Sequence, residues 1–80
     1  MKIIVEKDAV KDIQNISEPF KTQIKNKIKT LANYPNIANI KKLKNHNPTY
    51  RLRVGNYRVL FNIEDDIIVI GRIKHRREAY

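Results

Sequence analysis

The chain has 80 residues, a length that predicts one domain with a modest core. Its 17 Lys and Arg against 8 Asp and Glu give a net charge of +9, which favours a polyanionic partner such as nucleic acid, an anionic membrane surface or an acidic protein segment. The sequence has no cysteine, no apolar run near the roughly 20 residues of a membrane span, and no signal peptide, so we expect a soluble cytoplasmic protein. Abundant Ile, Lys and Asn also suggest a codon bias that would explain the lysines but not the arginines.

The first part of the chain predicts a strand and a helix. Residues 2–6, with the sequence KIIVE, have the composition of a short strand. In the next segment Val10, Ile13 and Ile16 lie at helical spacing, and Asp8 can cap the helix.

A second, clearer helix is predicted between Ser17, which can cap it, and Pro35, which stops it. One side is rich in lysine, as in an amphipathic surface helix. The apolar stripe on the other side has the spacing i, i+4, i+8 and i+11 and consists of Phe20, Ile24, Ile28 and Leu31.

A loop follows, with Leu43 as its predicted contact to the core, and three strand-like runs complete the chain. These runs cover residues 49–54, 57–64 and 67–73. The order β-α-α-β-β-β predicts an α+β fold, with a helical hairpin packed on one face of a mainly antiparallel four-stranded sheet. We assign residues 1–80 to one domain, and the second sheet face is open to a partner.

The sequence YRLRVGNYRVLF, residues 50–61, predicts a β-hairpin with opposed arginines. The pair Gly55 and Asn56 suits a two-residue loop, and counting outward from it places Arg53 opposite Arg58. Side chains of opposed residues share a face. The core face then carries the apolar and aromatic residues, and the open face carries Arg51, Arg53, Arg58 and Leu60.

The three arginines predict an anion site. Opposed like charges destabilise a strand pair, and the hairpin contains no carboxylate to compensate. Because guanidinium forks match phosphate oxygens, we predict that the arginines clamp a phosphodiester. Two alternatives are open: Glu6, Glu18 or an Asp folds over the arginines, or the arginines spread into solvent.

The end of the chain adds further charge if the last strand runs antiparallel beside the second hairpin strand. The sequence does not fix the register of the turn at residues 64–66, so it does not determine on which face of the sheet each later residue lies. Histidine is a natural general acid or base, which makes His75 a candidate, whereas His46 lies in the loop without such a context. The sequence contains no acidic cluster for a metal centre, no glycine-rich phosphate loop and no nucleophile elbow, so we expect no metal or other cofactor.

The arginine hairpin, the acidic turn, the apolar strand and the ending IKHRREAY together resemble the RelE/ParE superfamily of toxins from bacterial type II toxin–antitoxin modules. The strong resemblance covers residues 43–80. It implies a ribosome-dependent mRNA endonuclease of the RelE branch, in which the RNA's own 2′-OH is the nucleophile and no metal takes part. Such a reaction needs a base for the 2′-OH, positive charge on the phosphate, and an acid for the leaving 5′ oxygen.

The resemblance also implies residue roles. Arg51 and Arg53 stand where the best-known RelE toxins carry two lysines, Arg58 matches an arginine of the family's G-x-Y-R segment, and Tyr80 matches a tyrosine that stacks on a substrate base. The family pattern also has a basic residue a few positions before that tyrosine, and here Lys74, His75 and Arg76 compete for that position. The candidate catalytic residues are therefore Arg51, Arg53, Arg58, Lys74, His75 and Tyr80, and the candidate RNA-binding residues are Lys41, Lys42, Lys44, Arg72, Arg76 and Arg77.

The proton-transfer group is where the sequence departs from the family pattern. Arginine is a poor base because it stays protonated in proteins. We therefore expect His75 to transfer the proton while the arginines hold the phosphate, with Lys74 as the other candidate.

Several partners follow from the resemblance. They are a cognate antitoxin, acidic and partly disordered; mRNA on the ribosome together with 16S rRNA; and promoter DNA, bound only through the antitoxin. No membrane partner is expected. Two alternative functions remain, a ParE-type inhibitor of DNA gyrase and a non-catalytic RNA-binding module.

Overall fold

A computed structural model describes residues 1–37, 39–44 and 47–78 and shows two helices packed on a mixed five-stranded sheet. The elements in chain order are β1 (Lys2–Val5), α1 (Lys7–Gln14), α2 (Phe20–Thr30) with a 3₁₀ turn (Leu31–Asn33), β2 (Ile40–Lys42), β3 (Tyr50–Val54), β4 (Tyr57–Glu64) and β5 (Ile67–His75). Neither α-helix is long and apolar enough to cross a membrane, and this holds for every helix of the described ranges.

The sheet has the strand order β1-β5-β4-β3-β2. β1 runs parallel to β5, and every other neighbouring pair is antiparallel. The predicted α+β fold, a helical hairpin on a mainly antiparallel sheet, is therefore confirmed. The prediction of four strands missed β2, which lies in the predicted loop and pairs with residues 50–52, because three residues are too few to show a strand's alternation.

The helices begin close to the predicted positions but with different caps. Glu6 occupies the N-cap position of α1, and Asp8 lies within the first turn, where a carboxylate favours the helix dipole. At α2 the Glu18 carboxylate accepts hydrogen bonds from the backbone N–H of Thr22, at 2.9 Å, and from its hydroxyl, at 2.8 Å. Pro19 occupies the N-cap position, and the hydrogen bond to the Thr22 N–H comes from Glu18, one residue before it, and not from Ser17 as predicted.

The core lies between the helices and one sheet face. The α2 stripe is buried as predicted except at its start, where Phe20 is 42% exposed. Ala9 is fully buried in place of Val10, which is 41% exposed. Leu43 is only half-buried, and Ile37 and Ile40 pack against the core from this loop. The buried cluster consists of Ala9, Ile13, Ile16, Ile24, Ile28, Leu31, Leu52, Val54, Val59, Phe61, Ile68, Ile70 and Ile73.

A β-bulge at Gly71 sets the face of every later residue in β5. Leu60 pairs with Arg72, whereas its neighbour Phe61 pairs with Ile70, so Gly71 is the extra residue. The bulge changes the phase of the alternation, which allows Ile70 and Ile73 to face the same core although they are three residues apart.

Candidate nucleic-acid interface

The hairpin has the predicted register at every pair of β3 and β4, including Arg53 opposite Arg58. Its loop contains Gly55 with a φ of +58°, a left-handed conformation that glycine adopts without steric cost. The tight loop therefore fixes the arginines on rigid strands.

Pairing across the sheet extends the arginine pair into two rows on the open face. One row runs through Arg53, Arg58 and Lys74, on β3, β4 and β5. The second row runs across β2, β3, β4 and β5 through Lys41, Arg51, Leu60 and Arg72. We call this surface the basic face; it consists of Lys41, Arg51, Arg53, Arg58, Leu60, Arg72 and Lys74.

Arg58, at the centre of the basic face, is buried, with 9% of its surface exposed. Its Nη1 donates hydrogen bonds to the carbonyl oxygens of Gly55 and Tyr57, each at 2.9 Å. Its Nε is also buried and has no hydrogen-bond partner among the described residues. Burial, followed by the positive charges of Arg51, Arg53 and Arg76, lowers the pKa of Arg58. The fold therefore holds a cation where positive charge is disfavoured, and an anion would relieve that cost.

Leu60 gives the basic face an apolar centre. It is 5% exposed and is not part of the main core cluster, which lies on the opposite side of the sheet. Charges beside apolar surface are less screened by water, so their interaction with an anion is stronger than on an open polar surface.

Arg72 forms an ion pair that the sequence analysis missed. Its Nε donates to Asp12 Oδ2 at 2.8 Å and its Nη2 to Oδ1 at 3.1 Å, and the backbone N–H of Ile73 also donates to Oδ2 at 2.9 Å. Burial alone would raise the pKa of Asp12, but these hydrogen bonds and the nearby charge of Lys74 lower it. The pair covers the edge of β5 with α1. No sequence pattern links residues 60 positions apart.

Two of the acidic side chains interact with groups other than the hairpin arginines. Asp12 pairs with Arg72, and Glu18 accepts the backbone N–H of Thr22 at the start of α2. Of these two carboxylates only that of Asp12 pairs with an arginine, and this arginine is Arg72, a predicted RNA-binding residue.

His75 lies on the other side of the sheet from the basic face. It pairs with Tyr57, which belongs to the helix-packed face, and the two rings meet edge to face at 5.4 Å. Tyr57 in turn contacts Phe20, with ring centroids 5.9 Å apart. The structure thus brings Lys74, and not His75, into the row of Arg53 and Arg58. The proton-transfer role of His75 stays a prediction that its position does not favour.

The other predicted residues are spread around the basic face. The backbone N–H of Arg76 donates to Asn56 O at 2.7 Å, which folds the tail onto the hairpin loop. Arg77 and Lys44 are exposed, and Lys42 lies on the helix-packed face, 5.9 Å from the Tyr50 ring centroid.

The predictions for Tyr80 and His46 fall outside the described residues. Within the described ranges, no group of three or more His, Asp or Glu side chains could hold a metal ion.

Comparison with known proteins gives a consistent family. Residues 3–80 match the family model described as ParE toxin of type II toxin-antitoxin system, parDE. Toxin RelE3 of Methanocaldococcus jannaschii is 33% identical over 84 residues, which cover 100% of this chain and 96% of that protein. Putative toxin RelE1 of the same organism is 34% identical over 87 residues, covering 100% and 97%.

Solved structures show the same fold. The RelB-RelE antitoxin-toxin complex from Methanococcus jannaschii contains a chain that matches with a TM-score of 0.80 at 32% identity, over 96% of this chain and 94% of that one. The isolated Escherichia coli RelE toxin matches with a TM-score of 0.76 over 92% and 82% of the two chains. Its identity of 17% makes it evidence for the fold alone.

Proposed function

Because the chain belongs to the RelE/ParE family of toxins of type II toxin–antitoxin systems, we propose that it is an endonuclease that cuts mRNA on the ribosome. The observation that carries the proposal is the row Arg53, Arg58 and Lys74, with Arg51 beside it on the same rigid face. Cations fixed before the substrate arrives stabilise the charge that develops on a phosphate without further reorganisation.

The proposed reaction needs only groups of the RNA and the basic face. The 2′-oxygen attacks the adjacent phosphorus while the bond to the 5′ oxygen breaks, which leaves a 2′,3′-cyclic phosphate and a 5′-hydroxyl. A base accepts the proton of the 2′-OH, and an acid donates one to the leaving oxygen. No metal is required, because Arg51, Arg53 and Arg58 supply the positive charge.

We assign the role of the base, which accepts the proton of the 2′-OH, to Lys74. Arginine does not release its proton in proteins, whereas lysine can, and Lys74 lies directly opposite Arg58 in the row. Lys41, Lys44, Arg76 and Arg77 then contact neighbouring phosphates of the mRNA and of 16S rRNA. Tyr80 is proposed to stack on a base, as the family resemblance implies.

Primer extension on an mRNA translated in a cell extract tests the nuclease proposal. The wild-type protein should produce new 5′ ends within the reading frame, and these ends should disappear when translation initiation is blocked. Arg58→Gln should abolish them. Uncut mRNA with the wild-type protein would overturn the proposal, and binding without cutting would favour the RNA-binding module.

A ParE-type gyrase inhibitor is the second candidate, because the matching family model describes a ParE toxin. The two functions predict different causes of growth arrest when the toxin is expressed alone. Loss of protein synthesis with normal DNA supercoiling supports the nuclease, whereas continued synthesis with gyrase-dependent DNA damage supports the inhibitor.

We further propose that an acidic, partly disordered antitoxin neutralises this chain, as the RelB-RelE complexes of its relatives suggest. The groove between α1 and α2, about 460 Å³, is lined by Val10, Ile13 and Ile28 and bordered by lysines. An amphipathic helix with an apolar stripe and flanking carboxylates would complement it. The bordering lysines are Lys21, Lys25 and Lys29.

Charge reversal in the groove tests the antitoxin surface. Lys25→Glu should weaken binding of the antitoxin encoded beside this gene, mainly by slowing association. The matched control is Lys7→Glu, an exposed lysine of α1 outside the groove. Equal loss in both variants, or none in Lys25→Glu, would place the antitoxin elsewhere.

A further inference from the structure

A cleft lined mainly by polar and charged residues adjoins the basic face at the edge of the sheet. It lies between α2 and the end of β3 and has a volume of about 610 Å³, within the usual range of small-ligand sites, about 300–1,000 Å³. Its lining is Gln23, Asn26, Lys27, Asn39, Arg53, Val54 and Gly55.

The cleft lies where β2 begins at Ile40, opposite Leu52 of the antiparallel strand β3. Arg53 and Val54, the last residues of β3, pair with β4 on one side and have no β2 residue opposite them on the other side. Asn39 turns away with a φ of +68°, and its carbonyl accepts the backbone N–H of Arg53 at 2.9 Å. A Cβ atom added to Gly55 would meet no atom within 4 Å, so the space is open on that side.

The lining has the chemistry that reads a nucleobase. Gln23, Asn26 and Lys27 have the spacing i, i+3 and i+4, which places them on one side of α2. Each amide offers both donors and an acceptor, and Asn or Gln can form two hydrogen bonds with one edge of adenine. Proteins recognise RNA sequence mainly on unstacked bases whose edges are accessible.

Arg53 connects this cleft with the basic face, since it lines the cleft and also stands in the row with Arg58 and Lys74. We propose that the cleft binds one unstacked base of the RNA, preferentially adenine, while Arg53 and Lys27 hold the phosphate attached to it. The inference rests on the proposed function in taking RNA as the ligand. It adds Gln23, Asn26 and Asn39 as residues that determine sequence preference.

Nuclear magnetic resonance of the nitrogen-15-labelled full chain tests the cleft directly, with the four ribonucleoside monophosphates and inorganic phosphate as probes. Adenosine monophosphate should shift the side-chain amide signals of Gln23, Asn26 and Asn39. Inorganic phosphate should leave these amide signals in place. Absence of amide shifts with all four nucleotides, or equal shifts with phosphate alone, would overturn the inference.

Two variants make the assignment specific. Gln23→Ala and Asn26→Ala keep good helix formers in α2, and each should weaken binding of adenosine monophosphate about tenfold, as expected for the loss of about 1.4 kcal/mol of base contact. The control is Asn33→Ala, an exposed amide outside the cleft, which should bind as wild type does. Unchanged affinity in both cleft variants, with normal thermal melts, would contradict the proposal.

The nuclease proposal fails or succeeds separately from this one. A wild-type protein that shows the amide shifts but cuts no mRNA supports the cleft and overturns the nuclease. A wild-type protein that cuts mRNA, with cleft variants that cut at unchanged positions and rates, overturns the cleft and keeps the nuclease.

Discussion

At the scale of single residues, the most informative group is Arg58. It is buried, its Nε lacks a hydrogen-bond partner among the described residues, and like charges surround it. Burial and these charges lower its pKa, which means that the folded state disfavours the cation relative to the unfolded state. A group that reduces stability in this way is typical of a binding site rather than of a structural position.

Replacement of Arg58 should therefore separate stability from function. We expect Arg58→Met to raise the melting temperature, by about 4–8 °C for each 1 kcal/mol of repulsion removed, and to lose binding of RNA. Phosphate should stabilise the wild-type protein more than the variant, because ligands that bind only the folded state raise its stability. The control is Arg77→Met, at an exposed position. A melting temperature lowered more by Arg58→Met than by Arg77→Met would contradict this interpretation.

Asp12 gives a prediction for acid stability. Its pKa is lowered in the folded state, so it stabilises the fold at pH values above its unfolded pKa, about 3.9. That contribution is lost as the pH falls through the lower folded pKa. Asp12→Asn should be less stable than wild type at neutral pH, and the difference should narrow below about pH 4. Asparagine keeps one side-chain oxygen that can accept the Ile73 N–H, so the substitution chiefly removes the negative charge paired with Arg72.

Urea unfolding at several pH values measures this difference. Asp66→Asn serves as the control, because Asp66 lies exposed in the β4–β5 turn. If the difference in unfolding free energy between wild type and Asp12→Asn stays constant from neutral to acid pH, the carboxylate charge does not contribute to stability.

At the scale of secondary-structure elements, local patterns predicted the hairpin but not the face of every residue in β5. The two-residue loop determined each pair of β3 and β4, since one turn fixes the register. In β5 the core residues Ile68, Ile70 and Ile73 break simple alternation, and only the bulge at Gly71 explains the break. A single glycine inside a strand pattern is a signal for a bulge, and it could have placed Lys74 on the open face.

The bulge decides which tail residue lies on the same face as the hairpin arginines. With strict alternation from Ile68 and Ile70, His75 would share the face of the arginines, whereas the bulge puts Lys74 there. We predict that Lys74→Met lowers the single-turnover rate of mRNA cleavage about 10²-fold or more. His75→Gln should cut at nearly the wild-type rate but melt at a lower temperature, because it loses the ring contact with Tyr57. A cleavage rate that falls in His75→Gln and not in Lys74→Met would assign the proton-transfer role to His75 instead.

At the scale of the whole molecule, the net charge of +9 is organised rather than evenly spread. The basic face occupies one side of the sheet, and the lysines of α2 border a groove on the other side. The surfaces proposed above for RNA and for an acidic antitoxin are therefore separate. Composition predicted the polyanionic partner, but tertiary pairing was needed to show the Asp12–Arg72 pair and the cleft beside Arg53.

The salt dependence of RNA binding reports on the whole basic face. Each phosphate contact with single-stranded nucleic acid contributes about 0.7 to the slope of log affinity against log salt concentration. Arg51→Gln, Arg53→Gln and Arg58→Gln should each weaken binding and reduce this slope by about that amount. Slopes that equal the wild-type value in all three variants would show that the arginines do not contact phosphate.

The proposed reaction uses the RNA's own 2′-OH as the nucleophile, and removal of that hydroxyl from the substrate tests this role. Purified ribosomes are loaded with an mRNA that carries a single 2′-deoxynucleotide at the mapped cut site, or with the unmodified mRNA. If the 2′-OH is the nucleophile, the wild-type protein should cut the unmodified mRNA, leave a 2′,3′-cyclic phosphate, and not cut the deoxy-substituted position. Cleavage that persists at the deoxy position would show that the 2′-OH is not the nucleophile.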